Sequence, residues 1–179
     1  RLAVNHKSHA VTPLAVADSF RPYPFPKTAE AENYVLYPGG FDPRKNMFGA
    51  LEAYAALHKD HGNDMAVRGT RLRIACHSDA ASENDLRRRA RRLGIDDKLD
   101  LTGFVTEEEL VELYQKARCL FFPSLYEGFG LPVLEGLACG LPIAASHTSS
   151  IPEVAGDLAC YFNPHDVQGM ADSLVRALH

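Results

Sequence analysis

The stretch SLYEGFGLPVLEGLACG, residues 124–140, holds two glutamates, Glu127 and Glu135, with seven residues between them and a glycine-rich turn in the middle. Gly128 and Gly130 permit close approach of backbone to a ligand and φ values that other residues disfavour. Pro132 suits the first turn of a helix, where its missing N–H costs nothing. The free N–H groups and positive dipole end of such a helix make an anion site. Phosphate repels carboxylates, so the glutamates need other partners. Glu135, about one turn into the helix, is placed to accept hydrogen bonds from a ribose diol, as acidic residues do in dinucleotide folds. Glu127, across the turn, can grip hydroxyls of whatever hangs from the phosphates. A nucleotide sugar satisfies all three demands. On residue type alone, Glu135 also reads as a solvated helix carboxylate and Glu127 as an ordinary loop acid.

Positioning these groups requires a scaffold, and the chain supplies its rhythm from Asn33 onward. YVLYPG is a short apolar strand closed by Gly39-Gly40, followed by a helix with Met47, Ala50, Leu51, Tyr54 and Leu57 at helical spacing. LRIAC reads as a strand. Ser82, with Asp85 three residues on, reads as the cap of the next helix, and Gly94 as its end. LDLTG is a strand, and Thr106 with Glu109 forms a capping box ahead of Leu110, Leu113 and Tyr114. CLFFPS, PIAAS and ACYF are further strands, and a last helix carries Val167, Met170, Ala171, Leu174, Val175 and Leu178 on one face. Alternating strands and helices of these lengths predict an α/β fold, a Rossmann-like doubly wound parallel sheet. Ligands of such sheets sit beyond the carboxyl ends of the strands.

Composition narrows the function. The 179 residues, 46% hydrophobic, suit one ordinary α/β domain with a short appendage. A net charge of −4 argues against nucleic acid as a partner. The longest apolar runs, around Cys119–Phe122, are too short to span a bilayer, and no secretory signal opens the chain. The four cysteines form no CxxC pair and read as buried reduced thiols; with no HxxxH pairing, although His6 and His9 lie close together, no metal is expected. Residues 1–32, rich in proline and poor in apolar period, read as a connecting segment. The first residue is Arg1 and the last helix runs in period to the terminus, which reads as a processed or fragmentary chain.

The sequence resembles the retaining glycosyltransferases of family four, the glycosyltransferase group 1 enzymes of GT-B fold. The match is to their E-x(7)-E motif at Glu127 and Glu135. It is supported by YPGGFDPRKN at 37–46, TGFVTEEEL at 102–110, GLACGLPIAAS at 136–146 and SSIPEVAGD at 149–157. The blocks occur in family order across residues 33–179. The resemblance implies that 33–179 is the C-terminal, donor-binding half of a GT-B enzyme and that the N-terminal acceptor domain is absent. It further implies that Glu135 binds ribose hydroxyls, Glu127 contacts the donor sugar, the amides of Gly130 and Leu131 hold phosphate, and Lys45 neutralises the diphosphate. The base would lie near Phe104 and Val105. One departure matters: many relatives carry Arg immediately after the first Gly, where this chain has Gly40. Arg44 is the candidate for the second positive charge.

By the same resemblance the donor is GDP-mannose first and a UDP-sugar second, with no further cofactor and no obligate metal. The acceptor would be a glycan or lipid-linked saccharide. The full enzyme is then expected in the cytoplasm, able to sit at the inner face of the membrane. The reaction keeps the donor configuration, and in this family the donor's own phosphate and the other domain are thought to serve where this half offers no general base. The rival is a nucleotide-binding regulatory module without transfer. A glycoside hydrolase needs two acids facing one bond, and one acid here turns toward ribose. Lys45 also reads as a surface lysine, although a cation at a helix start is mildly unfavourable without an anion. His77 reads as pocket-lining or incidental. The run Arg87, Arg88, Arg89, Arg91, Arg92 reads as a solvated face before a membrane contact. Ser149 and Ser150 read as bracing the turn before Pro152.

Overall fold

The computed structural model describes residues 14–22 and 32–179. Most of the predicted connecting segment (residues 1–13 and 23–31, with His6 and His9) lies outside the described residues. The strands are β1 (Tyr34–Tyr37), β2 (Arg71–Ile74), β3 (Leu99–Leu101), β4 (Cys119–Phe122), β5 (Ile143–Ser146) and β6 (Ala159–Phe162). They form one sheet in the order β3-β2-β1-β4-β5-β6, and every pairing is parallel. The helices are α1 (Met47–His61), α2 (Ala80–Leu93), α3 (Glu107–Lys116), α4 (Leu131–Ala138), α5 (Ile151–Ala155) and α6 (Val167–Leu178). This is the predicted Rossmann-like doubly wound sheet. Strand order reverses between β1 and β4, where Val35 pairs with Cys119 and Leu36 with Leu120. Helices leave the sheet on opposite faces there, opening a crevice at the carboxyl ends.

Period-2 alternation along the central strands builds two cores. Val35, Tyr37, Cys119 and Phe121 face α1, α2 and α6, joined by Leu51, Tyr54, Leu86, Met170 and Leu174. Tyr34, Leu36, Leu120 and Phe122 face the other way, onto Val111, Tyr114, Val133 and Ile151 of α3, α4 and α5. Strands covered on both faces carry continuous apolar runs, and all four residues of β1, β4 and β5 are buried. Near the β3 edge the second face turns polar. Arg71 and Arg73 alternate with buried Leu72 and Ile74, both arginines pair with Asp100, and the Arg73 guanidinium stacks 3.9 Å from the Tyr34 ring centroid. Phe20 docks edge-on against Tyr114, with ring centroids 5.6 Å apart. Part of the predicted connecting segment therefore belongs to the second core.

Helix boundaries follow their caps. The Thr106–Glu109 capping box forms as predicted, and Gly94 closes α2. The cap of α2 is a correction: it is Asp79, whose carboxylate accepts from the Ser82 N–H at 2.7 Å, so the helix starts earlier and Ser82 lies inside its first turn. An aspartate offers the charged acceptor nearer the end of β2, and its anion also suits the helix dipole. On α2, Arg87 pairs with Glu83 and Asp96, Arg88 and Arg89 with Asp85, and Arg91 with Asp96. Arg89 also lies 3.7 Å over the Phe48 ring. The run is a salt-bridged helix face. Among the described residues no helix is long and apolar enough to cross a membrane. Cys119 and Cys139 are buried, whereas Cys76 and Cys160 are partly exposed, contrary to uniform burial.

Candidate functional site

The crevice between β1 and β4 gathers residues from loops far apart in the chain. After β1, the backbone runs through Pro38-Gly39-Gly40 into a short 3-10 turn, Pro43–Lys45, capped by the Asp42 carboxylate. Asn46 then takes a left-handed conformation, φ 58°. Its amide donates to the carbonyls of Pro123, at 3.1 Å, and Pro164, at 2.9 Å. The Leu125 N–H donates to the Arg44 carbonyl at 2.7 Å. These bonds clamp the β1 loop onto the loop after β4 and bring Lys45 to Glu127.

Lys45 Nζ donates to Glu127 Oε1 at 2.7 Å, with side chains 27% and 12% exposed. That much burial shields the pair from screening by salt and makes the fold sensitive to loss of either member alone. Arg44 goes elsewhere. Its guanidinium pairs with Asp42 at 2.6 Å and is 65% exposed, and it holds the Asp42 carboxyl down at about 2. Gly40 is open: an added side chain there meets nothing within 4 Å, whereas at Gly39 it would strike the Tyr37 ring at 2.6 Å. The loop therefore admits a Cβ at Gly40.

The Glu127 loop is braced from the β5–α5 connection. The Glu127 N–H donates to Ser149 Oγ at 3.0 Å, while Ser150 Oγ donates to the carbonyls of Glu127, at 3.2 Å, and Phe129, at 2.8 Å. Ser149 itself sits at φ 51°, an unfavoured conformation for a residue with a side chain. These serines stand at the turn before Pro152, as read from the sequence, and from there they also fix the backbone around Glu127.

Gly130, the residue just before α4, sits at φ 101°, a value that excludes most side chains, and among the described residues no side-chain hydrogen bond caps the helix. The helix axis is drawn close to the sheet at Gly136, where a Cβ would meet Ile143 at 2.8 Å and Leu120 at 3.1 Å. Leu131 and Pro132 then stand at the mouth of a cleft of about 460 Å³ with Glu135 beside them. Pro38, Ala75, Cys76, His77, Gly103, Phe104, Val105, Leu110 and Tyr114 complete its wall. Phe104 is 77% exposed, a large apolar ring held free at the rim. The fold thus brings Glu135, Leu131, Phe104 and Val105 around one cavity, adjoined through Gly130 by the Lys45–Glu127 pair. Arg44 alone among the charged candidates is held by a partner outside this group.

Burial raises the Glu135 carboxyl above its ordinary range, opposed by the Tyr114 hydroxyl and reinforced by the like charge of Glu107. The Cys76 thiol is pushed up to about 11, chiefly by burial. Tyr114 was missed by sequence because it falls in the apolar period of α3 and reads as core.

Residues 22–179 match the family described as glycosyl transferases group 1. The chain belongs to that family. It is 36% identical over 153 residues to the O-antigen chain mannosyltransferase B of Escherichia coli, an alignment covering 82% of this chain and 37% of that protein. Sucrose-phosphate synthase from Thermosynechococcus elongatus superposes with a TM-score of 0.73 at 25% identity, over 89% of this chain and 40% of the other. The C-terminal domain of a glycosyl transferase group 1 family protein from Francisella tularensis superposes with a TM-score of 0.72 at 20% identity, over 90% and 87%. This group 1 chain thus spans well under half of the O-antigen relative and nearly all of that solved C-terminal domain, and its fold is that of GT-B neighbours.

A half-buried carboxylate carries a stability signature. The folded-state pKa of Glu135 lies above its unfolded value near 4.5, so folding takes up protons here. Stability conferred by this group is therefore greatest at low pH and falls as pH rises from the unfolded value through the raised folded one. At pH 8 the full penalty applies. Glu135→Gln is expected to melt at a higher temperature than wild type at pH 8, with the difference shrinking on acidification. Melting curves across pH check this, and a lower melting temperature at pH 8 would contradict it.

Proposed function

We propose that this chain is the donor-binding domain, residues 33–179, of a retaining glycosyltransferase that moves a sugar from a nucleoside diphosphate sugar to a saccharide acceptor. The observation that carries the reading is the cleft at the strand-order reversal. The first residues of α4 and the half-buried Glu135 line it, and the loop that leads into α4 carries Glu127, paired with Lys45. The base lies against Phe104 and Val105, and the ribose diol donates to Glu135. The diphosphate meets the amides of Gly130 and Leu131 and the Lys45 ammonium. The hexose extends to Glu127.

In the transfer step the bond between the sugar's anomeric carbon and the diphosphate oxygen breaks, and its electron pair leaves with the diphosphate. Lys45 and the α4 dipole stabilise that charge where it develops. The acceptor oxygen forms the new bond on the same face, and its proton passes to the departing phosphate oxygen. Glu127, freed from Lys45 as phosphate takes its place, accepts from sugar hydroxyls and holds the ring in register. The acceptor wall belongs to a second, N-terminal domain of the whole enzyme. Mannose from GDP-mannose is favoured by the similarity to a mannosyltransferase, with a UDP-sugar as the other candidate. The whole enzyme acts in the cytoplasm and meets any lipid-linked acceptor at the membrane's inner face.

A thermal-shift panel of GDP, UDP, ADP and their sugar conjugates tests this reading. One nucleotide series is expected to raise the melting temperature, equally with and without EDTA, because Lys45 and a helix terminus neutralise the diphosphate. Among the described residues no group of three His, Cys, Asp or Glu side chains could hold a metal. Loss of the shift in EDTA would overturn the phosphate site, and no shift with any nucleotide would overturn the donor site. A regulatory module that binds without transfer is separated from the enzyme by assay of the whole protein.

A further inference from the structure

We propose that Tyr114 is a positioning residue for Glu135: its buried hydroxyl stands behind the carboxylate, holds it toward the cleft and keeps it charged to receive a ribose diol. The proposal rests on the donor-site reading of Glu135 given above. Tyr114 is 0% exposed and packs against Phe20, yet it lines the same cleft as Glu135. Among the described residues its hydroxyl has no hydrogen-bond partner. A buried phenol normally finds one, and leaving it without costs free energy. Tyr34 and Tyr54 illustrate the rule, donating to the carbonyls of Leu113 and Thr70, each at 2.7 Å. The Glu135 carboxyl, which lines the same cleft, is the group with which the Tyr114 hydroxyl interacts electrostatically, although no hydrogen bond joins them in the ligand-free fold.

The chemistry of the cleft gives that contact a purpose. Glu135 accepts charge-assisted hydrogen bonds through both oxygens only while ionised, and its half-buried setting works against ionisation. The charged and titratable groups around it are few. Glu107 on α3 adds a like charge, Cys139 just past α4 lies near the phenol, and Cys76 and His77 in the loop after β2 line the same cleft. Tyr114 is the hydrogen-bond donor among these that favours the charged form. A small turn of the carboxylate aligns its bond, leaving the outer oxygen for ribose.

The test uses Tyr114→Phe, which keeps the ring against Phe20 and removes only the oxygen. In the ligand-free 179-residue chain, the titration of the Glu135 side-chain carboxyl carbon is followed by NMR. Its midpoint is expected to move up by about one pH unit relative to wild type. An unmoved or lowered midpoint overturns the proposal. Should the phenylalanine variant not fold, the chain made with 3-fluorotyrosine, whose phenol is the stronger donor, replaces it and moves the midpoint down; no movement there overturns the proposal equally. The second arm titrates GDP-mannose, whose diphosphate keeps constant charge across the scan. Tyr114→Phe is expected to weaken it about tenfold near neutral pH, with the loss growing on acidification and absent in a Glu135→Gln background. A uniform, pH-independent loss that persists in Glu135→Gln overturns the proposal, since the phenol would then touch the ligand itself. If Glu135→Gln binds as tightly as wild type while the NMR midpoint still moves, the ribose role of Glu135 fails and the Tyr114–Glu135 coupling stands.

Discussion

Glu135→Ala is expected to weaken a bare nucleoside diphosphate and its sugar conjugate alike, by about tenfold to 150-fold, whereas Glu127→Ala weakens only the conjugate. Hydrogen bonds to a charged acceptor contribute roughly 1.5–3 kcal/mol, which sets that range. The structure sharpens the second half of the expectation. Glu127 holds Lys45 at 2.7 Å, so in the empty site the carboxylate and an incoming phosphate compete for one ammonium. Removing Glu127 frees that cation, and the bare diphosphate should bind as tightly as before or more tightly. Calorimetry of GDP and GDP-mannose against both variants gives the four comparisons. Equal losses on both ligands from both variants would contradict the division of labour. Matched melting temperatures are not the control here, because each variant disturbs a part-buried contact; circular dichroism suffices to show that both fold.

Lys45→Ala is expected to have the larger effect, a loss of roughly 100-fold or more on both ligands. Two causes add. The diphosphate loses its charge-assisted donor, and Glu127 is left at 12% exposure without its cation, facing an anion. The same uncompensated carboxylate lowers stability by about 1–3 kcal/mol. The double variant Lys45→Ala/Glu127→Ala separates these causes: it should recover most of the stability and only part of the affinity. Affinity for GDP unchanged in Lys45→Ala would remove the lysine from the phosphate site.

The fold was legible in the sequence wherever period and caps agreed. Met47, Leu51 and Tyr54 announced α1, Thr106 with Glu109 announced α3, and the apolar run at Cys119–Phe122 announced a strand buried on both faces. Strand order was not readable from any single segment, because it depends on which hydrophobic faces meet after crossovers of many residues. Asp79 was passed over as a cap because Ser82 nearby offered a similar pattern. Phe20 lies in a proline-rich stretch without period, so its docking on Tyr114 left no local mark.

At the site, the turn chemistry was open to reading and the tertiary contacts were not. Gly130 and Pro132 marked the start of α4, which the structure begins at Leu131. The Lys45–Glu127 pair spans 82 positions and the Ser149 bond to the Glu127 amide spans 22, so neither has a spacing rule to reveal it. Asn46 stands just before α1, and its amide bonds two distant carbonyls that no local pattern points to. Tyr114 carried the weakest signal of all, since a tyrosine in an apolar stripe reads as packing until the carboxylate beside its hydroxyl is seen.

The most direct measurement is a crystal structure of the chain with GDP-mannose bound. The diphosphate is expected within hydrogen-bond reach of the Gly130 and Leu131 amides and Lys45 Nζ, the ribose diol on Glu135, the base against Phe104 and Val105, and the hexose on Glu127. A diphosphate seated away from the start of α4, or a ribose turned away from Glu135, would contradict the account at its centre.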